Sequence, residues 1–297
     1  MTKLSYIALT STALLTGQCL ANTDLFVADI NHEAGNAKLV GVKNITQRSG
    51  YDNQPKFAPD NRGLYYTAMF QVTAEQFQTD AMLYDLELGT TTNISQTWET
   101  SEYSPTPINN GEGLSFIKVE PDGTQRLWSL DIATRQQTII NSKIKPVGYH
   151  AWGKQEALAL FVLGEPMTLQ YIQTPTQAKG QVVADNIGRS IRYNERHDLF
   201  SYSFGDKQQT LAVYFPGTGK TQALLPLPNN AEYYTWLNDD TVLSADGSKI
   251  MRWDYKGGSS GWQLFADASQ HCQTKISRLA VSQDQKKLAF VCDETGK

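Results

Sequence analysis

The chain has 297 residues, 40% of them hydrophobic and 19% charged, with a formal net charge of −4. That apolar content is ample for a buried core. The mildly acidic balance, with no run of basic residues, argues against nucleic acid or an anionic membrane surface as a partner.

The chain opens with MTKLSYIALTSTALLTGQCLA: Lys3, an apolar stretch from Leu4 to Leu15, then small residues at Cys19 and Ala21 before Asn22. This is the pattern of a secretory signal peptide, residues 1–21, cleaved after Ala21. The stretch is shorter than the roughly 20 residues that a membrane span requires. Lipid attachment at Cys19 is the alternative, although Gln18 occupies a place that wants a small residue. The expected product is periplasmic or secreted, has no membrane span, and forms a single domain over residues 22–297.

From Leu25 onward, short apolar strands alternate with polar turns. An anchor recurs at Leu64, Leu114, Leu158, Leu199, Val242 and Leu288, at intervals of 41 to 50 residues, each after a turn such as Pro59-Asp-Asn-Arg-Gly63. A second strand begins at Leu25, Leu83, Leu127, Leu169, Leu211 and Met251, and a third follows it at Lys38–Ile45, Thr91–Ile94, Gln137–Ile140, Gln181–Val183, Gln222–Leu225 and Trp262–Phe265. With the strand that precedes each anchor, every unit has four strands joined as antiparallel hairpins, and no long stretch shows helical periodicity. The pattern predicts an all-β, six-bladed β-propeller with four-stranded antiparallel blades, since only blades stacked face to face bury both sides of such small sheets.

The phase of the repeat predicts how the ring closes. The chain begins with the last two strands of a blade and ends with the first two. Leu25–Asp29 is therefore expected beside Leu288–Cys292, which removes an open sheet edge. The long interval at Gln71–Asp80 is expected to be a loop or short helix on one face. Cleavage would leave Cys272 and Cys292, placed at the same end of the last hairpin; they are either one disulfide or two buried thiols.

The segment PKFAPDNRGLYYTA (Pro55–Ala68) resembles the repeat of the TolB-like, or PD40, β-propellers, with Ser282–Leu288 the next best copy and four further copies more degenerate. The resemblance covers Asp24 to Asp293. It implies a propeller-only relative, monomeric, that binds a protein or peptide partner associated with the cell envelope. TolB itself carries an additional α/β domain, for which the sequence between the leader and the first strand has no room.

Catalytic motifs are weak. Phe215-Pro-Gly-Thr-Gly-Lys-Thr221 looks like a phosphate loop, but Tyr214 stands where the first glycine belongs, and the stretch falls on a hairpin turn. The four histidines, His32, His150, His197 and His271, lie in separate repeats, and no calcium loop or Gly-x-Ser-x-Gly elbow is present. No catalytic residue, metal site or cofactor is assigned. Asn44-Ile-Thr46 and Asn93-Ile-Ser95 fit the glycosylation sequon. Five of the six tryptophans, Trp128, Trp152, Trp236, Trp253 and Trp262, read as packing between blades.

The candidate site is the mouth of the ring, where the loops enter the first strand of each blade. Aligning the repeats places Gln54, Ser104, Tyr149, Ser190, Tyr233 and Arg278 at one equivalent position, with Tyr51, Asp52, Tyr103, His150, Arg189, Arg192, Glu232 and Tyr234 beside them. Tyrosine and arginine are enriched at interface hot spots, so protein binding is the expected function. The alternative is an enzyme acting on a carbohydrate or small metabolite in the channel, which would need convergent acids or histidines there.

Overall fold

The computed structural model describes residues 22–33, 36–229, 231–257 and 260–294. The signal-peptide expectation for residues 1–21 lies outside the described residues. These residues form twenty-four strands in six four-stranded antiparallel sheets. Blade one holds strands β3 (Asp52–Phe57), β4 (Gly63–Gln71), β5 (Phe77–Asp85) and β6 (Thr91–Asn93). Blades two to five repeat this order, starting at Ser101, Val147, Ile187 and Tyr234. Blade six is composite: β23 (Ile276–Val281) and β24 (Lys287–Asp293) from the end of the chain, β1 (Thr23–Glu33) and β2 (Asn36–Asn44) from its beginning.

The ring closes as the phase predicts. In the β1–β24 pairing Asp24 lies opposite Cys292, Leu25 opposite Val291 and Asp29 opposite Lys287. Within the same blade Cys272 and Cys292 are bridged, with Cα atoms 5.6 Å apart.

Burial explains the composition of the strands. The second strand of a blade is covered on both faces by neighbouring blades and is buried along most of its length. Leu158–Val162 (LALFV) is an unbroken apolar run, and elsewhere a small hydroxyl residue such as Thr67, Ser115, Ser201 or Ser244 is buried among the apolar ones. The fourth strand lies at the rim, and Gln181–Asp185 (QVVAD) is mostly exposed. The core comprises six clusters, one per blade interface. Leu25, Leu64, Tyr66, Ala289 and Val291 seal blade six to blade one. Phe26 and Phe290 stack with centroids 5.1 Å apart and face Leu243, Ile250 and Phe265 of blade five.

The segment 71–80 is a loop only over residues 72–76, shorter than expected. β4 and β5 extend their pairing to Gln71 opposite Phe77, leaving a turn at Val72–Gln76 in which the Thr73 hydroxyl accepts from the amides of Glu75 and Gln76. Gln78 and Thr79 are buried as strand residues. Strand pairing satisfies their backbone groups at a depth where an irregular loop would leave them unmet.

The two sequons form one repeated structural device. Asn44 Nδ2 donates to Asp24 Oδ2 at 2.7 Å, and Asn93 Nδ2 donates to Asp80 Oδ2 at 2.8 Å. The hydroxyl two residues later caps a backbone amide of the same inner strand: Leu25 N donates to Thr46 Oγ1, and Ala81 N to Ser95 Oγ. Asp80 also accepts from Ser95 Oγ at 2.8 Å and from Thr97. Asn-Ile-Thr/Ser is therefore a clasp tying the fourth strand's exit to the third strand's aspartate.

Candidate functional site

The first strands of neighbouring blades adjoin one another around the axis, as 52–57 does with 101–108 and with 276–281. Five of the six carry a register shift near the mouth, at Asn53/Lys56, Tyr103/Thr106, Val147/Tyr149, Ile187/Ile191 and Ile276/Leu279. A bulge twists a strand and re-aims its side chains. In blades one and two the bulge includes a residue with positive φ, Gln54 (φ 60°) and Ser104 (φ 56°), a conformation that carries strain and needs support from its surroundings. That support is on hand: Gln54 Oε1 accepts from Thr67 Oγ1 at 2.7 Å and from Ser104 N at 2.7 Å.

The bulges decide which aligned residues reach the mouth. Gln54 is buried and spends its carboxamide oxygen on the blade one–two contact, and Ser190 is fully buried against Tyr234 of blade five. Ser104 uses its amide in the same contact. These positions join blades. His150 is also buried, its Nε2 2.8 Å from Ser115 Oγ, which in turn accepts from Trp152 Nε1 at 2.9 Å. The same tryptophan-to-serine link joins Trp236 to Ser201 at 2.9 Å, so these two tryptophans bridge blades.

The structure brings the others together. Arg278 reaches inward from blade six, and its Nη2 donates to Tyr149 Oη of blade three at 3.1 Å. Blades three and six stand opposite each other in a six-membered ring, so this bond crosses the channel. The guanidinium also lies over the Tyr233 ring, 3.9 Å from its centroid, and 5.3 Å from that of Tyr149. Tyr51 and Tyr103 complete the group, and burial pushes up the pKa of both, as it does for Tyr233. These three phenols therefore stay protonated at neutral pH and can donate. Arg278 is cationic at neutral pH, and its charge is compensated by the hydrogen bond to Tyr149 and by the ring faces of Tyr233 and Tyr149.

Arg189 and Glu232 stand exposed at the rim beside Tyr233. They border a groove of about 550 Å³ that is also lined by Met167, Asp206, Lys207 and Gln209.

Below the tyrosines the channel turns cationic. Lys56 of blade one is accessible to water yet surrounded by protein, as a channel-lining side chain is. Its pKa falls to about 8, through burial first and then Arg192 of the facing blade four. Arg192 is lowered by burial and by Arg278, with Tyr234 opposing. Burial, assisted by Lys56, depresses His150 to about 3, so it is neutral. Lys56 was not among the aligned candidates. It lies two residues beyond Gln54, in the same first strand, and a search at that spacing would have found it together with Arg192, two residues beyond Ser190. Among the described residues, no three His, Cys, Asp or Glu side chains are grouped to hold a metal ion.

This architecture defines a six-bladed propeller with a tyrosine-lined mouth. Neither a protein-family model nor a curated protein matches the sequence. Solved structures do resemble the fold. A putative TolB from Agrobacterium tumefaciens is 10% identical, with a TM-score of 0.67 over 93% of this chain and 99% of that one. TolB from Acinetobacter baumannii is 14% identical, with a TM-score of 0.56 over 84% of this chain and 67% of that one. A gluconolactonase from Xanthomonas campestris is 9% identical, with a TM-score of 0.62 over 89% and 94%. The chain thus has the TolB-like propeller fold, which enzymes share.

Proposed function

We propose that this protein is an exported propeller that binds a protein or peptide partner of the cell envelope through the mouth formed by Tyr51, Tyr103, Tyr149, Tyr233 and Arg278. The observation that carries this reading is the clustering of four half-buried tyrosines around one buried arginine. Tyrosine offers a large rigid surface with a polar tip at low entropic cost, and arginine is its usual companion at binding hot spots. Exposed Arg189 and Glu232 supply the polar rim that surrounds such a centre. The leader at residues 1–21 supports export, and the TolB-like fold supports a role at the envelope.

The experiment is affinity capture from native envelope fractions with the wild type and with a Tyr149→Ala/Tyr233→Ala variant, with melting curves to confirm that both are folded. The wild type should retain a defined partner that the variant loses. Equal capture by both would refute binding at the mouth.

A further inference from the structure

The channel holds three cationic side chains from three blades: Arg278 at the mouth, and Lys56 and Arg192 in the shaft beneath it. Each lies on the first strand of its blade, Lys56 in Asp52–Phe57, Arg192 in Ile187–Asn194 and Arg278 in Ile276–Val281, the strands that line the axis. Lys56 is within electrostatic reach of Arg192, and Arg192 of Arg278. The protein partners they do have are neutral. Arg192 Nη1 donates to the Ile191 carbonyl at 2.9 Å, and Arg278 engages tyrosines. None of the seven ion pairs among the described residues involves these three, and no carboxylate is among the groups that perturb them. The buried ring nitrogen His150 Nδ1, close to Lys56, has no hydrogen-bond partner either.

Like charges gathered in one channel with no counter-charge are unfavourable for folding, because they repel one another and the buried one, Arg278, also loses hydration. Such arrangements persist where a site needs them. The concentration of positive charge is local, since the chain as a whole carries −4, and a narrow low-dielectric channel focuses that field. The hydrogen-bonding character agrees: guanidinium, ammonium and protonated phenol groups all donate, so the complementary ligand is rich in acceptors.

We infer that the channel is a binding site for oxyanion groups, carboxylate or phosphate, held between Lys56 and Arg192 on opposite walls with Arg278 above them. A planar or tetrahedral oxyanion suits the two guanidinium forks, and the ammonium of Lys56 supplies a point charge. The inference goes beyond partner binding at the rim and would stand if that reading failed, because Lys56 and Arg192 lie on the shaft and not on the mouth surface.

The test is calorimetric titration of the protein in low salt with citrate, inorganic phosphate, pyrophosphate and a tetraglutamate peptide. Saturable binding of a small anion identifies a free metabolite as the source of the oxyanion, and binding of the peptide alone identifies acidic side chains of a polypeptide. Either supports the site if Lys56→Gln and Arg192→Gln each weaken it by about tenfold or more while the surface change Lys38→Gln leaves it intact. Absence of binding by all four probes, or binding that both variants retain, would overturn the inference. A second measurement covers the case of a variant that misfolds. Removing a repelled charge should raise the melting temperature in anion-free buffer and abolish any stabilisation by the bound anion. A lower melting temperature for Lys56→Gln without anion counts against the site.

Discussion

Arg278 and Tyr149 lie 129 residues apart and meet across the central channel, Nη2 donating to Oη at 3.1 Å. Adjacent blades are held by six apolar clusters, but this bond joins blades that are not neighbours in the ring. It spans the mouth, and it places the cation where it also stacks on Tyr233.

Tyr149→Phe keeps the ring and removes the acceptor. A hydrogen bond from a charged donor contributes about 1.5–3 kcal/mol, and Arg278 keeps its stacking on Tyr233, so a loss of about 1–2 kcal/mol is expected in urea unfolding. Arg278→Lys should cost more, because a lysine can neither stack as a planar group nor present a fork. Wild-type stability in both variants would show that the cross-channel contact holds nothing together.

The Cys272–Cys292 bond closes a loop with a sequence separation of 20 in the blade that unites the two chain ends. Loop-closure entropy at that length gives about 3 kcal/mol. Cys272→Ser/Cys292→Ser, or the reduced wild type, should unfold at correspondingly lower denaturant, with β1 losing amide protection first because its pairing with β24 joins the two ends. Hydrogen exchange that stays uniform on reduction would contradict this.

The Asp80 clasp gathers donors from Asn93, Ser95 and Thr97 in a site where Asp80 is 3% exposed. Asp80→Ala removes the charged acceptor shared by Asn93, Ser95 and Thr97, and hydrogen bonds to a charged group contribute about 1.5–3 kcal/mol each, although Ser95 and Thr97 keep a second partner in Ala81 N and Glu102. We expect a total loss near 3 kcal/mol, with Asn93→Ala giving a smaller loss, read by thermal and denaturant melts. An effect under about 0.5 kcal/mol would mean that water replaces the carboxylate.

Two buried groups pull the acid limb of the stability curve in opposite directions. His150 has its folded pKa lowered from 6.5 to about 3, so between these values the unfolded chain binds the extra proton, and stability falls as the pH drops. Asp52, which Arg48 engages at 2.7 Å, is raised from 3.8 to about 6 because burial outweighs that arginine. In its window the folded state binds the extra proton, and stability rises as the pH drops. Each contributes a slope of about 1.4 kcal/mol per pH unit, so between pH 4 and 6 they largely cancel. His150→Gln should gain stability on acidification through that range relative to wild type, and Asp52→Asn should lose it more steeply. Parallel pH profiles for all three proteins would refute the assignment.

The architecture was legible in the sequence because it depends on local, repeated features. The second strand of each blade is largely buried and mostly apolar, the turns have polar and glycine residues, and the phase of the repeat predicts the composite sixth blade with its β1–β24 pairing. The segment 71–80 escaped because continued pairing of β4 with β5 is favoured by burial against the ring, which the local sequence does not display.

The mouth was legible in part, and the reason is geometric. Aligning repeats identifies equivalent positions, but a one-residue bulge changes where a side chain points, and the bulges at Gln54 and Ser104 turn those positions into links between blades. From sequence alone came the strand count, the order of the blades and the tyrosines and arginine near the axis. Only the tertiary structure could decide that Tyr149 and Arg278 meet, and that Lys56 faces Arg192. Those pairs come from opposite sides of a closed ring, and no local pattern records the distance across it.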